Sequence, residues 1–133
     1  MPHINYLAVF AAALSTFVIG GLWYSPALFH RAWMSANGFG EADLVKGSQA
    51  RIFGVAFVLA LVMAANLAAF LSGPETTVAW GTIAGALTGL GWVAPAIATI
   101  ALFERRSAGY IAINGGYFAV AFVVMGAILG AWR

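Results

Sequence analysis

Residues 81–89 read GTIAGALTG, and the glycines Gly81, Gly85 and Gly89 stand four positions apart inside an apolar run extending from about 76 to 103. On a helix that spacing aligns them in one row. In lipid the tails are as apolar as Leu, so helices associate through close backbone contact, and a row of small residues permits it. Three further apolar runs carry similar rows: Ala8, Ala12, Thr16 and Gly20; Ala56, Ala60, Ala64 and Ala68; and Gly126 with Gly130. Spans at about 4–24, 51–71, 76–103 and 110–132 therefore predict an all-α polytopic membrane protein. Its four transmembrane helices should form a compact bundle, with Gly81, Gly85 and Gly89 making the tightest contact.

Composition points the same way. Of the residues 63% are hydrophobic and 8% charged, and the mean hydropathy is +0.95, a balance that leaves a soluble fold no way to hide its apolar surface. The 133 residues hold a single domain of four crossings at about 20 residues each, with nothing left for a soluble domain. The six Lys and Arg residues are spread over helix ends rather than clustered, so nucleic acid is not an expected partner. With no cysteine, disulfides, thiol catalysis and thiolate metal sites are excluded. The first run begins too close to Met1 and lacks the basic flank and cleavage site of a signal peptide, so it reads as a retained helix.

The connections are also informative. Ser25 followed by Pro26 predicts a short helix starting there, with Ser25 as N-cap and Pro26 in the first turn, stopped by Asn37 and Gly38. Phe29, His30, Arg31 and Trp33 lie on it. Aromatic residues beside basic ones suit the headgroup layer; a loop helix folded against the bundle is the equal alternative. Residues 38–50 form the longest loop. Pro95 predicts a kink in the third span, which at about 28 residues exceeds the usual hydrocarbon thickness.

Five basic residues, Arg31, Lys46, Arg51, Arg105 and Arg106, fall on one side of the four spans and only Arg133 on the other. Because Lys and Arg are retained in the cytoplasm, loops 25–50 and 104–109 are expected there, with both termini outside the cell membrane. Tyr6, Trp23, Tyr24, Trp80, Tyr110 and Trp132 lie where aromatic belts are expected. Sliding the first half by 69 positions superposes Gly20 on Gly89, Trp23 on Trp92 and Pro26 on Pro95, a weak sign of parallel duplication.

No Asp, Glu, Lys, Arg or His lies in the middle of any span, which argues against proton-coupled antiport. His3 is terminal and His30 interfacial, so haem or chlorophyll ligation is not expected either. We expect no cofactor, no metal and no catalytic residue, since only Glu104 and His30 at the interface offer acid or base chemistry. Asn66 and Asn114 lie within spans and should bond across helices, with a substrate contact as the lesser alternative. Glu104, at a helix C-terminus where the dipole disfavours it, calls for a cationic partner from Arg31, Arg51 or its neighbours Arg105 and Arg106.

Two stretches carry a family resemblance. The first is Asn5 with Trp23, Tyr24, Ser25, Pro26, Leu28, Phe29, Ala32, Trp33, Met34 and Gly38. The second is Leu102, Phe103, Glu104, Arg106, Ile113, Gly116 and Tyr117, with the ending Gly126, Ala127, Ile128, Leu129, Gly130 and Trp132. Over nearly its whole length the chain resembles the small membrane proteins grouped as domain of unknown function 1761. His30 departs from the small residue expected at its position. The resemblance implies four membrane helices and supplies no activity. It directs attention to Trp23, Tyr24, Pro26, Phe29, Arg31, Trp33, Glu104 and Arg106 as a site for a lipid phosphate or partner protein, since arginine fits phosphate. The expected function is non-enzymatic: a bundle binding membrane lipids, an apolar ligand or another protein, as a homo-oligomer or subunit of a larger assembly. The alternative is an oligomeric transporter or channel for a small uncharged or hydrophobic solute.

Overall fold

The computed structural model describes residues 4–45 and 47–133, and every regular element among them is helical. His3 and Lys46, which entered the histidine and charge arguments, lie outside the described residues. Each span begins at a side-chain cap that satisfies an otherwise orphan N–H of the first turn. Asn5 accepts from the N–H of Leu7 and Ala8 to start α1 (Tyr6–Trp23). Ser48 accepts from Arg51 to start α3 (Gln49–Phe70), Thr77 from Trp80 to start α4 (Val78–Thr88), and Ser107 from Tyr110 to start α6 (Ala108–Ala131). Between α1 and α3 lie α2 (His30–Asn37) and a short 3₁₀ turn, Glu41–Val45. A π-helical turn, Gly89–Val93, joins α4 to α5 (Ala94–Phe103), making one 26-residue span, Val78–Phe103. With α1, α3 and α6 this gives four helices long and apolar enough to cross a membrane.

Two local expectations are corrected. The interfacial helix starts at His30, not at Ser25: the Ser25 hydroxyl turns back to donate 2.6 Å to the Leu22 carbonyl, and Phe29 holds the N-cap position with no side-chain bond. Residues 25–29 form turns instead, with the Leu28 and His30 N–H groups donating to Ser25 O. Gly38 ends the helix in the left-handed region, at φ 70°. The irregularity in the third span precedes Pro95: Ala94 N–H bonds to Gly89 O, so the turn is widened by one residue before the proline.

Helix α6 is central. It packs against α4, the π turn and α5 on one side and against α1 on another, while α3 lies mainly on α1. Gly126 and Gly130 of α6 meet Gly81 and Gly85 of α4 backbone to backbone. A methyl group on Gly81 would stand 3.0 Å from Gly130 Cα, and one on Gly89 would stand 2.9 Å from Ala119 Cα. On the other side Ala8, Ala12 and Thr16 of α1 and Ala60, Ala64 and Ala68 of α3 are all buried in the shared core. The small-residue rows thus turn inward, and none is left as a lipid-facing attachment surface.

α3 and α4, joined by a short turn, nevertheless stand apart. The positions paired by the 69-residue shift differ in role: Pro26 lies in the turn after α1, whereas Pro95 lies within a continuous span.

Gly85→Leu should unseat α4 from α6, since its first side-chain carbon would meet the Phe122 backbone rather than a movable side chain. The expected loss is at least the ~1–3 kcal/mol of overpacking a core, read as a lowered unfolding midpoint in mild detergent. Gly54→Ala, where nothing lies within 4 Å, should be neutral or slightly stabilising.

Candidate functional site

Two places bring polar and aromatic groups together. The first lies where α1 ends and α6 begins. The Trp23 indole donates 2.9 Å to the Ile113 carbonyl, and Tyr24 Oη donates 2.7 Å to Asn114 Oδ1. Asn114 Nδ2 in turn donates 3.0 Å to the Tyr110 carbonyl of its own helix. One turn further, Tyr117 Oη donates 2.8 Å to the Thr16 carbonyl. Gly116 leaves room for the indole, which would lie 3.0 Å from a methyl group there. Around these bonds the rings stack: Trp23 on Phe29 at 4.7 Å, Tyr24 on Trp33 at 5.7 Å and on Tyr117 at 5.4 Å, and Trp33 on Phe39 at 5.4 Å. Offset and edge contacts of this kind add to the burial of the rings.

Only part of the expected lipid or partner site converges there. Trp23, Tyr24, Phe29 and Trp33 form the cluster, while Pro26 and Arg31 are exposed. Arg31 has no hydrogen bond or ion pair among the described residues. Glu104 pairs with Arg106, 4.0 Å away and exposed, rather than with Arg31 or Arg51. Arg105 adopts φ 62°, and the Arg106 N–H then returns 2.8 Å to Ala101 O, which folds Arg106 over the end of its own helix. The Arg106 guanidinium also lies 5.1 Å from the centre of the Tyr110 ring.

The second place is the gap between α3 and α4, a groove of about 640 Å³, within the ~300–1,000 Å³ of ordinary ligand clefts. Met63, Leu67 and Phe70 form one wall, Trp80, Leu87 and Trp92 the other, and Phe122 of α6 contributes from beneath. No charged side chain lines it. Asn66 lies here, correcting the expectation of a bond across helices. Its Nδ2 donates 2.9 Å to the Val62 carbonyl of its own helix, because α4 stands too far away to offer a partner. Thr88, also on the groove, donates 2.8 Å to its own helix at Ala84 O.

Reasoning from sequence missed two residues. Arg133 donates to the carbonyls of Leu71 and Gly73, placing its charge at the C-terminal end of α3, where the helix dipole favours it. Its signal was a lone basic residue at a span end facing the turn at Ser72, Gly73 and Pro74. Trp92 lies near the midpoint of its span, away from both aromatic belts, and is 71% exposed. The signal was its depth. Among the described residues no cluster of three His, Asp or Glu side chains has the arrangement of a metal site.

These features define a small multi-pass helical membrane protein with an aromatic cluster joining α1 to α6 and a lateral groove. The family described as protein of unknown function (DUF1761) matches residues 7–130, and the chain belongs to it. No curated protein and no solved structure matches the chain.

Tyr24→Phe and Asn114→Leu, alone and combined, should give a coupling energy of ~0.6–1.7 kcal/mol in a double-mutant cycle, the range of hydrogen bonds between membrane helices. Equilibrium unfolding in detergent measures it, and additive effects would show that the bond contributes nothing.

Proposed function

We propose that this protein binds, without catalysing a reaction, an elongated apolar molecule taken sideways from the bilayer into the groove between α3 and α4. The carrying observation is that two consecutive antiparallel helices, joined by a short turn, leave about 640 Å³ between them. Inside a membrane that space opens onto acyl chains, and its apolar walls suit a lipid tail or another hydrophobic chain. Transport through an assembly of protomers is less well supported, since the small-residue rows are already occupied within one chain. The aromatic cluster is the anchor of the opposite end. Its hydrogen bonds tie α1 to α6, and amphipathic rings of this kind favour the headgroup layer. Loops 25–50 and 104–109 face the cytoplasm in this reading, and the termini and the turn from α3 to α4 face outward.

Ala84→Phe fills the groove. Native mass spectrometry of protein purified in mild detergent should show apolar adducts on the wild type and at least a tenfold lower occupancy on the variant. Equal occupancy would refute the groove as the binding site, and a dimer without adducts would identify a second copy as its occupant. Because the chain has no cysteine, single substitutions report sidedness directly. Ser35→Cys should react with an impermeant maleimide only after cells are opened, and Glu75→Cys in intact cells.

A further inference from the structure

The groove is apolar, but it is not without hydrogen-bonding groups. Ser15, Thr16, Thr82, Thr88 and Thr99 return their hydroxyl hydrogens to carbonyls of their own helices, so the spans leave few donors unspent. Trp92 departs from that pattern. Its indole N–H has no acceptor among the described residues, and it lines the groove. The 26-residue span Val78–Phe103 has its midpoint at Leu90 and Gly91, so Trp92 lies at mid-depth. There no water reaches an indole as it does in the aromatic belts, and an unmet N–H in hydrocarbon is costly. Trp80, the other groove tryptophan, is 12 positions earlier and thus about 18 Å nearer the headgroups, where water satisfies it. Beside Trp92 the helix is broken: the π turn Gly89–Val93 precedes Pro95, which has no N–H to give the preceding turn, and Gly91 has nothing within 4 Å of its open face. Irregular backbone at membrane depth is tolerated where it borders a cavity, and π turns are frequent at functional sites.

Resting on the groove reading above, we propose that the occupant is an uncharged lipid bearing a carbonyl oxygen, held with that oxygen at mid-depth as acceptor for Trp92 Nε1–H. An indole donates and does not accept, so the complementary group is an acceptor. A phosphate or carboxylate is excluded by charge, because no cation lines the groove to neutralise it. A plain hydrocarbon would fill the volume but leave the N–H unmet. The remaining chemistry is a neutral oxygen acceptor on a chain, able to enter the hydrocarbon core without a charged headgroup, and the carbonyl is the strong acceptor of that class that brings no donor of its own to be satisfied.

The test reconstitutes the full chain in phosphatidylcholine vesicles containing equal amounts of a long-chain methyl ketone and the alkane of equal length, with phosphatidylglycerol as a third probe. Retention after gentle extraction is read by mass spectrometry. The wild type should retain the ketone about fivefold over the alkane, the worth of one hydrogen bond to a neutral partner. Trp92→Phe should bring that ratio to one while still retaining both, and Trp132→Phe, at the end of α6 and outside the groove, should leave it unchanged. A ratio of one in the wild type, or preferential retention of phosphatidylglycerol, overturns the proposal while the groove reading stands. No retention of either apolar probe overturns both. Because the wild-type ratio is itself decisive, a Trp92→Phe chain that does not fold leaves the proposal exposed to refutation.

Discussion

Backbone contact between α4 and α6 is the constraint on which the rest depends. Gly81 and Gly85 face Gly126 and Gly130 so closely that no side chain fits between them. Within lipid such proximity supplies the dispersion contact that the hydrophobic effect cannot. The seam draws α4 and α5 onto one flank of α6. On the other flank, the alanines of α1 and α3 draw those two helices together, with α1 also resting on α6. Each helix is thus committed to a neighbour other than its partner across the turn from α3 to α4. The gap between α3 and α4 results from these two attachments and needs no separate cause.

Much of this was legible in the sequence, because the signals were periodic or terminal. Rows of small residues at every fourth position mark helix faces, whereas the caps Asn5, Ser48, Thr77 and Ser107 emerge with the structure. The features that were not legible depend on distance between elements. Asn66 and Asn114 read alike in sequence, since both are amides within apolar runs. Asn114 meets Tyr24 because α1 is held against α6, whereas Asn66 faces the groove because α4 is held elsewhere. Ser25 was misread for a related reason: a Ser before Pro can cap the next helix or close the previous one, and here its hydroxyl returns to Leu22. The candidate site was legible in its aromatic half. Its charged half was not, because Arg105 takes a left-handed conformation that sequence does not announce in a residue with a side chain.

The two ends of the bundle are tied differently. At the end of α1 the ties are side chain to α6: an indole to a carbonyl, a phenol to an amide, and a second phenol to the carbonyl of Thr16. At the other end Arg133 reaches the carbonyls of Leu71 and Gly73, joining the end of α6 to the end of α3. Both ends therefore fasten α6 to the half of the molecule that contains α1 and α3, while the glycine seam fastens it to the other half. α6 is the common post. A displacement of α4 relative to α3 would work against the seam alone, not against the ties at either end.

That division bears on the irregular turn. Trp80, Ala84, Thr88 and Trp92 stand four positions apart on the face of the third span that lines the groove, while Gly81, Gly85 and Gly89 stand on the face against α6, and the π turn loosens the backbone between the two faces. Pro95 then enters the helix where one carbonyl of the preceding turn has already lost its regular donor. In a chain whose span Ser and Thr hydroxyls are bonded within their own helices, the open indole N–H of Trp92 lies along this groove. A purely structural kink would be expected to pack its irregular turn against another helix, where neighbouring groups satisfy it. The π turn does so on one face only, where Gly89 meets Ala119 of α6, and its other face, with Gly91 and Trp92, is left to the groove, which is the arrangement of a wall made to meet something else.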